Sequence, residues 1–216
     1  VNEDDYGINP ETIKNEIKKN FIKKGKILFN KKTKKKLIAI MPVHVFGIPS
    51  NMREITKIAK KYSLAIIEDA ADSLGSKYKN KHTGTFGKIG VLSFNGNKTI
   101  TSGSGGAIIT NEKKIFLRAK HLISISKKNH AYEFIHDEVG WNYRMNNLNA
   151  SLGLSQIKKL ERTIKLKRKQ GNFYQSLLEN YKDIIQTQPD FYYQKPNHYW
   201  VFGIVLKIDN IRDELI

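Results

Sequence analysis

Leu64-Ala65-Ile66-Ile67-Glu68-Asp69-Ala70-Ala71-Asp72-Ser73 is the stretch that decides the fold. An unbroken apolar run turns abruptly acidic and small, which reads as a buried strand running into a polar loop. Upstream, Met52, Ile55, Ile58, Ala59 and Tyr62 share one helical face, and Asn51 stands where a helix cap belongs. Further upstream, Leu37 to Val43 is a second buried-strand run, ended by His44-Val45-Phe46-Gly47. Strand, helix, strand in that order is the βαβ unit of a parallel sheet. Ligands of such sheets sit beyond the carboxyl ends of the strands, where both Asp69 and the His44 loop fall. An aspartate there suits a protonated ring nitrogen, and equally a helix cap or a structural ion pair.

Working outward, Ser76 to Gly84 reads as a short hairpin. Gly90-Val91-Leu92-Ser93 then begins another strand and runs into Phe94-Asn95-Gly96-Asn97-Lys98-Thr99, followed by the glycine-rich Ser102 to Gly106 and the apolar Ala107 to Thr110. A lysine just past a buried strand, in a site closed by glycines, is placed to attack an aldehyde and form a Schiff base. Ser93, five residues earlier, could bind an anion near that amine. Spacing alone also allows Lys98 to be one more surface lysine.

Elsewhere, Pro10-Glu11-Thr12 opens a helix with Ile13, Ile17 and Phe21 as its apolar positions, after an extended residue 1–9 segment. Lys23 to Lys36 reads as a solvated lysine-rich connector. Glu112 to Ser124 is helical, and Ser126 to Asp137 is a polar loop whose His130 and His136 lack metal-ligand spacing. Gly140-Trp141-Asn142-Tyr143-Arg144-Met145 is dense in groups that bind anions. Leu148 to Tyr181 is a long helical pattern interrupted near Gly171, Tyr199 to Leu206 is a strand, and the residues up to Ile216 read as a helix start.

The 216 residues, 39% of them hydrophobic, suffice for one substantial domain, or one and a half, with a core. With no cysteine there is neither a disulfide nor a thiolate metal site. No apolar run approaches the length of a membrane span and no signal-peptide pattern opens the chain, so a cytoplasmic location is expected. The net charge is +18, from 38 basic and 20 acidic residues. That raises nucleic acid as a partner, but aromatic residues are not interleaved with the lysine clusters as a base-stacking surface requires. A lysine-biased composition and an anionic small substrate account for the charge without nucleic acid or membrane.

Taken together, Pro42-Val43-His44-Val45-Phe46-Gly47, Ile67-Glu68-Asp69-Ala70-Ala71, Gly84-Thr85-Phe86-Gly87, Ser93-Phe94-Asn95-Gly96-Asn97-Lys98, Gly105-Gly106 and Gly140 to Met145 resemble, in order and spacing, the DegT/DnrJ/EryC1/StrS family of pyridoxal-phosphate sugar aminotransferases. The likeness runs over about residues 1–205. It implies an α/β fold of the fold type I kind, with a mostly parallel central sheet and flanking helices. Residues 1–165 would form the central part of the cofactor-binding large domain, and 166–216 a connecting helix with the start of an incomplete small domain. The Ser-Phe-Asn-Gly-Asn-Lys form is most similar to the branch acting at C4 of nucleotide-linked 4-keto-6-deoxy sugars, as in legionaminic-acid, bacillosamine and perosamine pathways.

The resemblance also implies roles. Lys98 would hold pyridoxal 5′-phosphate covalently and shuttle a proton; histidine in its place would mark the family's dehydratases. Asp69 would pair with the ring nitrogen, keeping the ring an electron sink, and Ala71 would pack on a ring face. Asp72 would touch the cofactor, and Ser93 would bind its phosphate. Asn142, with Arg144 nearby, would reach that phosphate from a neighbouring subunit, which makes a homodimer with shared sites part of the expectation. Glutamate is the implied amino donor. Against the family's pattern, an N-terminal phosphate-binding and aromatic segment is expected upstream of Val1, and more small domain beyond Ile216. An inactive or split-gene fragment, and a basic nucleic-acid-binding module, are the competing readings.

Overall fold

The computed structural model describes residues 6–188, 199–208 and 212–214. The extended reading of residues 1–5, part of the aromatic-rich 189–216 region and the helix start at Ile216 lie outside them.

Asn9 opens α1 (Pro10–Asn20) by accepting the Glu11 and Thr12 backbone N–H groups, with proline in the first turn where no N–H is needed. Ile13 and Ile17 are buried, but Phe21 belongs to the next element. It begins β1 (Phe21–Lys24), which pairs antiparallel with β2 (Ile27–Asn30), and β2 pairs in turn with β3 (Lys36–Leu37). The expected solvated connector is therefore a three-stranded sheet. Its lysines hid the pattern: Leu28 is the buried side chain of these strands, while Phe21 and Leu37 pack against the core from part-buried positions. The β2–β3 turn is made by Asn30, whose side chain accepts from the Lys32 and Thr33 N–H groups at 3.0 and 2.9 Å.

The buried-strand run expected from Leu37 to Val43 is shortened to β4 (Ala39–Ile40), and Ile38 and Met41 are exposed. Only Ile40 of this strand faces the core fully, so the run is apolar on both sides but buried on one. Asn51 caps α2 (Met52–Tyr62) as expected, and Met52, Ile55, Ile58 and Ala59 are buried. β5 (Ala65–Asp69) follows, then the hairpin β6 (Lys77–Tyr78) and β7 (Lys81–His82), then β8 (Ile89–Ser93) and β9 (Gly106–Ile109). The central sheet has the order β4-β5-β8-β9; β4, β5 and β8 run parallel and β9 antiparallel. α2 and α1 pack on it through one apolar cluster that includes Ile17, Ile40, Met52, Ile55 and Ile66.

Past α3 (Lys113–Leu122), the long helical region is broken at Lys158–Lys159 into α4 (Asn147–Ile157) and α5 (Leu160–Leu177). Gly171, where the break was expected, lies inside α5. Its missing side chain makes room for Tyr199: a Cβ there would stand 1.8 Å from the ring's Cδ2. β10 (Ile185–Thr187) pairs antiparallel with β11 (Ile204–Leu206). The strand expected from Tyr199 is thus confined to its last three residues, because Tyr199 and Trp200 are used in packing instead.

Candidate active site

The site is built on a carboxylate that does not face it. Glu68 in β5 is fully buried and accepts Gly84 N–H at 2.7 Å, Gly87 N–H at 2.6 Å and His44 Nε2 at 3.1 Å. His44, also fully buried, accepts Ser50 N–H on Nδ1, so its Nε2 carries the proton shared with Glu68. The Gly84 loop lies directly on β8, with no space for a Cβ at Gly90, which would stand 2.0 Å from the Gly84 carbonyl oxygen. A buried carboxylate with three donors is well satisfied, and it locks both loops to the end of β5.

Asp69 is the next residue, so strand alternation turns it the other way. Its backbone N–H donates to Pro42 O at 2.9 Å, and its carbonyl accepts His44 N–H at 3.0 Å. Its side-chain Oδ1 accepts Ala71 N–H at 3.0 Å. The other oxygen has no hydrogen-bond partner among the described residues. In the neighbouring β8, Val91 pairs with Asp69 and Ser93 lies two residues beyond, at the strand's carboxyl end. Ser93 Oγ accepts Asn95 N–H at 3.3 Å.

The segment after β8 folds back on itself. Phe94 O accepts both Ser102 N–H and the Thr101 hydroxyl, and Phe94 N–H donates to Gly105 O. Thr99, Ile100 and Ser102 are buried and anchor this loop. Lys98 is thereby directed at Asp72, with Nζ 2.5 Å from Oδ1 and both side chains mostly buried. On another side, Nζ lies 3.8 Å from the centroid of the Trp200 ring. Such an amine is not a solvated surface lysine. The structure brings Asp69, Ala71, Asp72, Ser93 and Lys98 together at the carboxyl ends of β5 and β8.

It does not bring Asn142 and Arg144 to them. Both are exposed; Asn142 pairs with Ser124 as an isolated bridge. Arg144 lines a separate groove of about 710 Å³ between β8, β9 and α3, whose lining includes none of those five residues. Beside α3, the Arg118 guanidinium forks Glu138 and holds its carboxyl below the usual range. His121 does the same for Asp137, at 2.7 Å. His121, Asp137 and Glu138 converge closely enough to suggest metal ligation, but the Arg118 fork makes them an ion-pair cluster. His136 donates to Ile125 O, and His130 accepts from Glu133 N–H.

Sequence reasoning missed Glu68 and Trp200. A carboxylate between apolar residues of a buried strand, with Gly84-Thr85-Phe86-Gly87 downstream, was the available signal for the first. Nothing local marks Trp200, which comes from 103 residues beyond Asn97 to donate its indole N–H to Asn97 O.

The profile of the DegT/DnrJ/EryC1/StrS aminotransferase family matches residues 1–216. The chain is 38% identical over 177 residues to a GDP-perosamine synthase of Escherichia coli O157:H7, covering 82% of this chain and 47% of that protein. It is 35% identical over 144 residues to the UDP-4-amino-4,6-dideoxy-N-acetyl-beta-L-altrosamine transaminase of Campylobacter jejuni, covering 65% and 38%. In three dimensions it resembles the Helicobacter pylori aminotransferase PseC, involved in pseudoaminic acid biosynthesis, with a TM-score of 0.79 at 26% identity over 95% of this chain and 51% of that one. The chain thus spans about half the length of the relatives it matches.

Proposed function

The chain belongs to the DegT/DnrJ/EryC1/StrS aminotransferase family, and from that premise we propose that it carries the lysine-bearing half of a sugar aminotransferase dependent on pyridoxal 5′-phosphate. Its α/β architecture is that of fold type I, in agreement with the sequence reading. The proposed reaction replaces the C4 ketone oxygen of a nucleotide-linked 4-keto-6-deoxy sugar by an amino group taken from glutamate, in the making of glycan amino sugars. The protein is proposed to work in the cytoplasm as a homodimer; no described helix is long and apolar enough to cross a membrane.

The observation that carries this reading is the placement of Lys98 beside Asp72, on the same sheet end as Asp69 and Ser93. The donor set fits the cofactor. Lys98 supplies a primary amine for the aldehyde carbon. Asp69 keeps one carboxylate oxygen available for a protonated ring nitrogen while Ala71 N–H fixes the other. Ser93 offers a hydroxyl to the phosphate, and Ala71 leaves a ring face unobstructed. When bound, the cofactor supplies an electron sink that stores the amino group between donor and acceptor. Lys98 Nζ, once released from the cofactor, is the group placed to move a proton at the substrate carbon, and Asp72 orients it. Asn142 and Arg144 stand apart from Lys98 within one chain, as residues serving a partner subunit's phosphate site would. The proposed division into 1–165 and 166–216 falls within α5, which serves as the connecting helix.

The test is isotopic. With nitrogen-15 glutamate and a nucleotide-linked 4-keto-6-deoxy sugar, the sugar product carries the heavy nitrogen at C4. Label that stays in glutamate, with the ketone intact, contradicts the assignment.

A further inference from the structure

Trp200 is fastened at each of its polar backbone and ring groups. Its backbone N–H donates to Phe46 O at 3.1 Å, its carbonyl accepts Lys167 Nζ at 2.9 Å, and its indole N–H donates to Asn97 O at 2.8 Å. Phe46 holds its carbonyl in place from a left-handed backbone conformation (φ 55°, ψ 20°) that a bulky residue rarely adopts. Strain of this kind persists where the surroundings enforce it and clusters at functional sites. The same Phe46 ring lies tilted against the indole at 6.5 Å. The outcome is an indole ring fixed on the loop that carries Lys98, with Nζ 3.8 Å from its centroid while Asp72 holds the amine from another side.

We propose that Trp200 is a positioning residue for Lys98: its ring walls one side of the amine and fixes the direction from which Nζ meets a carbonyl carbon. This rests on the reading of Lys98 as the cofactor-binding lysine. It adds that the segment after α5 completes the site, since no nearer part of the chain supplies an aromatic face to this amine among the described residues. The contact needs a ring face, so phenylalanine retains most of it and leucine, which has none, does not. Packing alone also favours phenylalanine over leucine, so the discriminating readout is the selectivity for Lys98 over other lysines in molecules whose fold is unchanged.

The experiment is reductive labelling of the full chain with pyridoxal 5′-phosphate and borohydride at fixed pH. Peptide mass spectrometry reads labelling at Lys98 relative to exposed lysines of the same molecules, and circular dichroism checks the fold. Trp200→Phe is expected to keep Lys98 labelling within about threefold of wild type, and Trp200→Leu to lower it about tenfold. Indole emission gives a second readout: an adduct at Lys98 quenches Trp200, and that part of the quenching vanishes in Trp200→Phe. Wild-type labelling at Lys98 that is equally strong in Trp200→Leu overturns this proposal and leaves the cofactor reading standing. A wild type with no preference for Lys98 overturns both.

Discussion

Glu68 is the residue on which the site's geometry depends most. Glu68→Ala strips partners from Gly84 N–H, Gly87 N–H and His44 Nε2 at a fully buried position. The expected loss is about 3 kcal/mol, the scale of a broken buried network, read by urea unfolding. Glu68→Gln keeps the shape and one acceptor oxygen, and is expected to lose less. Equal loss in both would show that charge, not shape, holds the loops. At this scale the positions of Asp69 and Lys98 were legible: they are set by strand ends and a glycine-rich loop, which are local patterns. Glu68 and Trp200 were not. One acts through backbone donors that sequence does not distinguish, and the other arrives through tertiary packing from far along the chain.

Among the elements, α5 carries a test of close approach. Gly171→Ala improves helix propensity by about 1 kcal/mol but drives a methyl into the Tyr199 ring. Overpacking of this kind costs about 1–3 kcal/mol. The expected net result is a lower melting temperature, with indole emission shifted as Trp200 follows Tyr199. A rise in melting temperature without an emission change would mean that the ring yields freely. The 126–142 loop gives a pH test. Asp137 and Glu138 are held below their ordinary values of 3.8 and 4.5, chiefly by His121 and Arg118. Lowered carboxylate values stabilise the folded arrangement at pH above those ordinary values, and that contribution is lost as pH falls through the lowered ones. Protection of the loop amides, measured by hydrogen exchange, should therefore be full at pH 6 and fall below about pH 4. Protection unchanged down to pH 3 would contradict it. Element boundaries were the least legible part of the sequence. Helical periodicity marked α2, and apolar runs marked β5 and β8, which bury a face in the core. The β1–β3 sheet, held by backbone pairing under lysines, has no such periodicity, and Gly171 mimics a breaker while serving as a packing gap.

For the whole molecule, the βαβ order alone implies the parallel sheet, because parallel strands need a crossover and apolar strands need burial. The surface is less complete. Phe116 and Leu117 on α3, and Leu148 and Leu154 on α4, are large apolar side chains left exposed. Faces of this kind mark association surfaces, and a dimer is the expected sedimenting species; a monomer across micromolar concentrations would contradict the proposed shared site. The central claim is that this fold exists to present Lys98 as an amine to a bound aldehyde. Its most direct test is the mass spectrum of the chain after incubation with pyridoxal 5′-phosphate and borohydride, with Lys98→Ala beside it. The account predicts one dominant pyridoxyl adduct, on Lys98, absent from the variant. Labelling scattered over the many surface lysines, or equal in the variant, would contradict it.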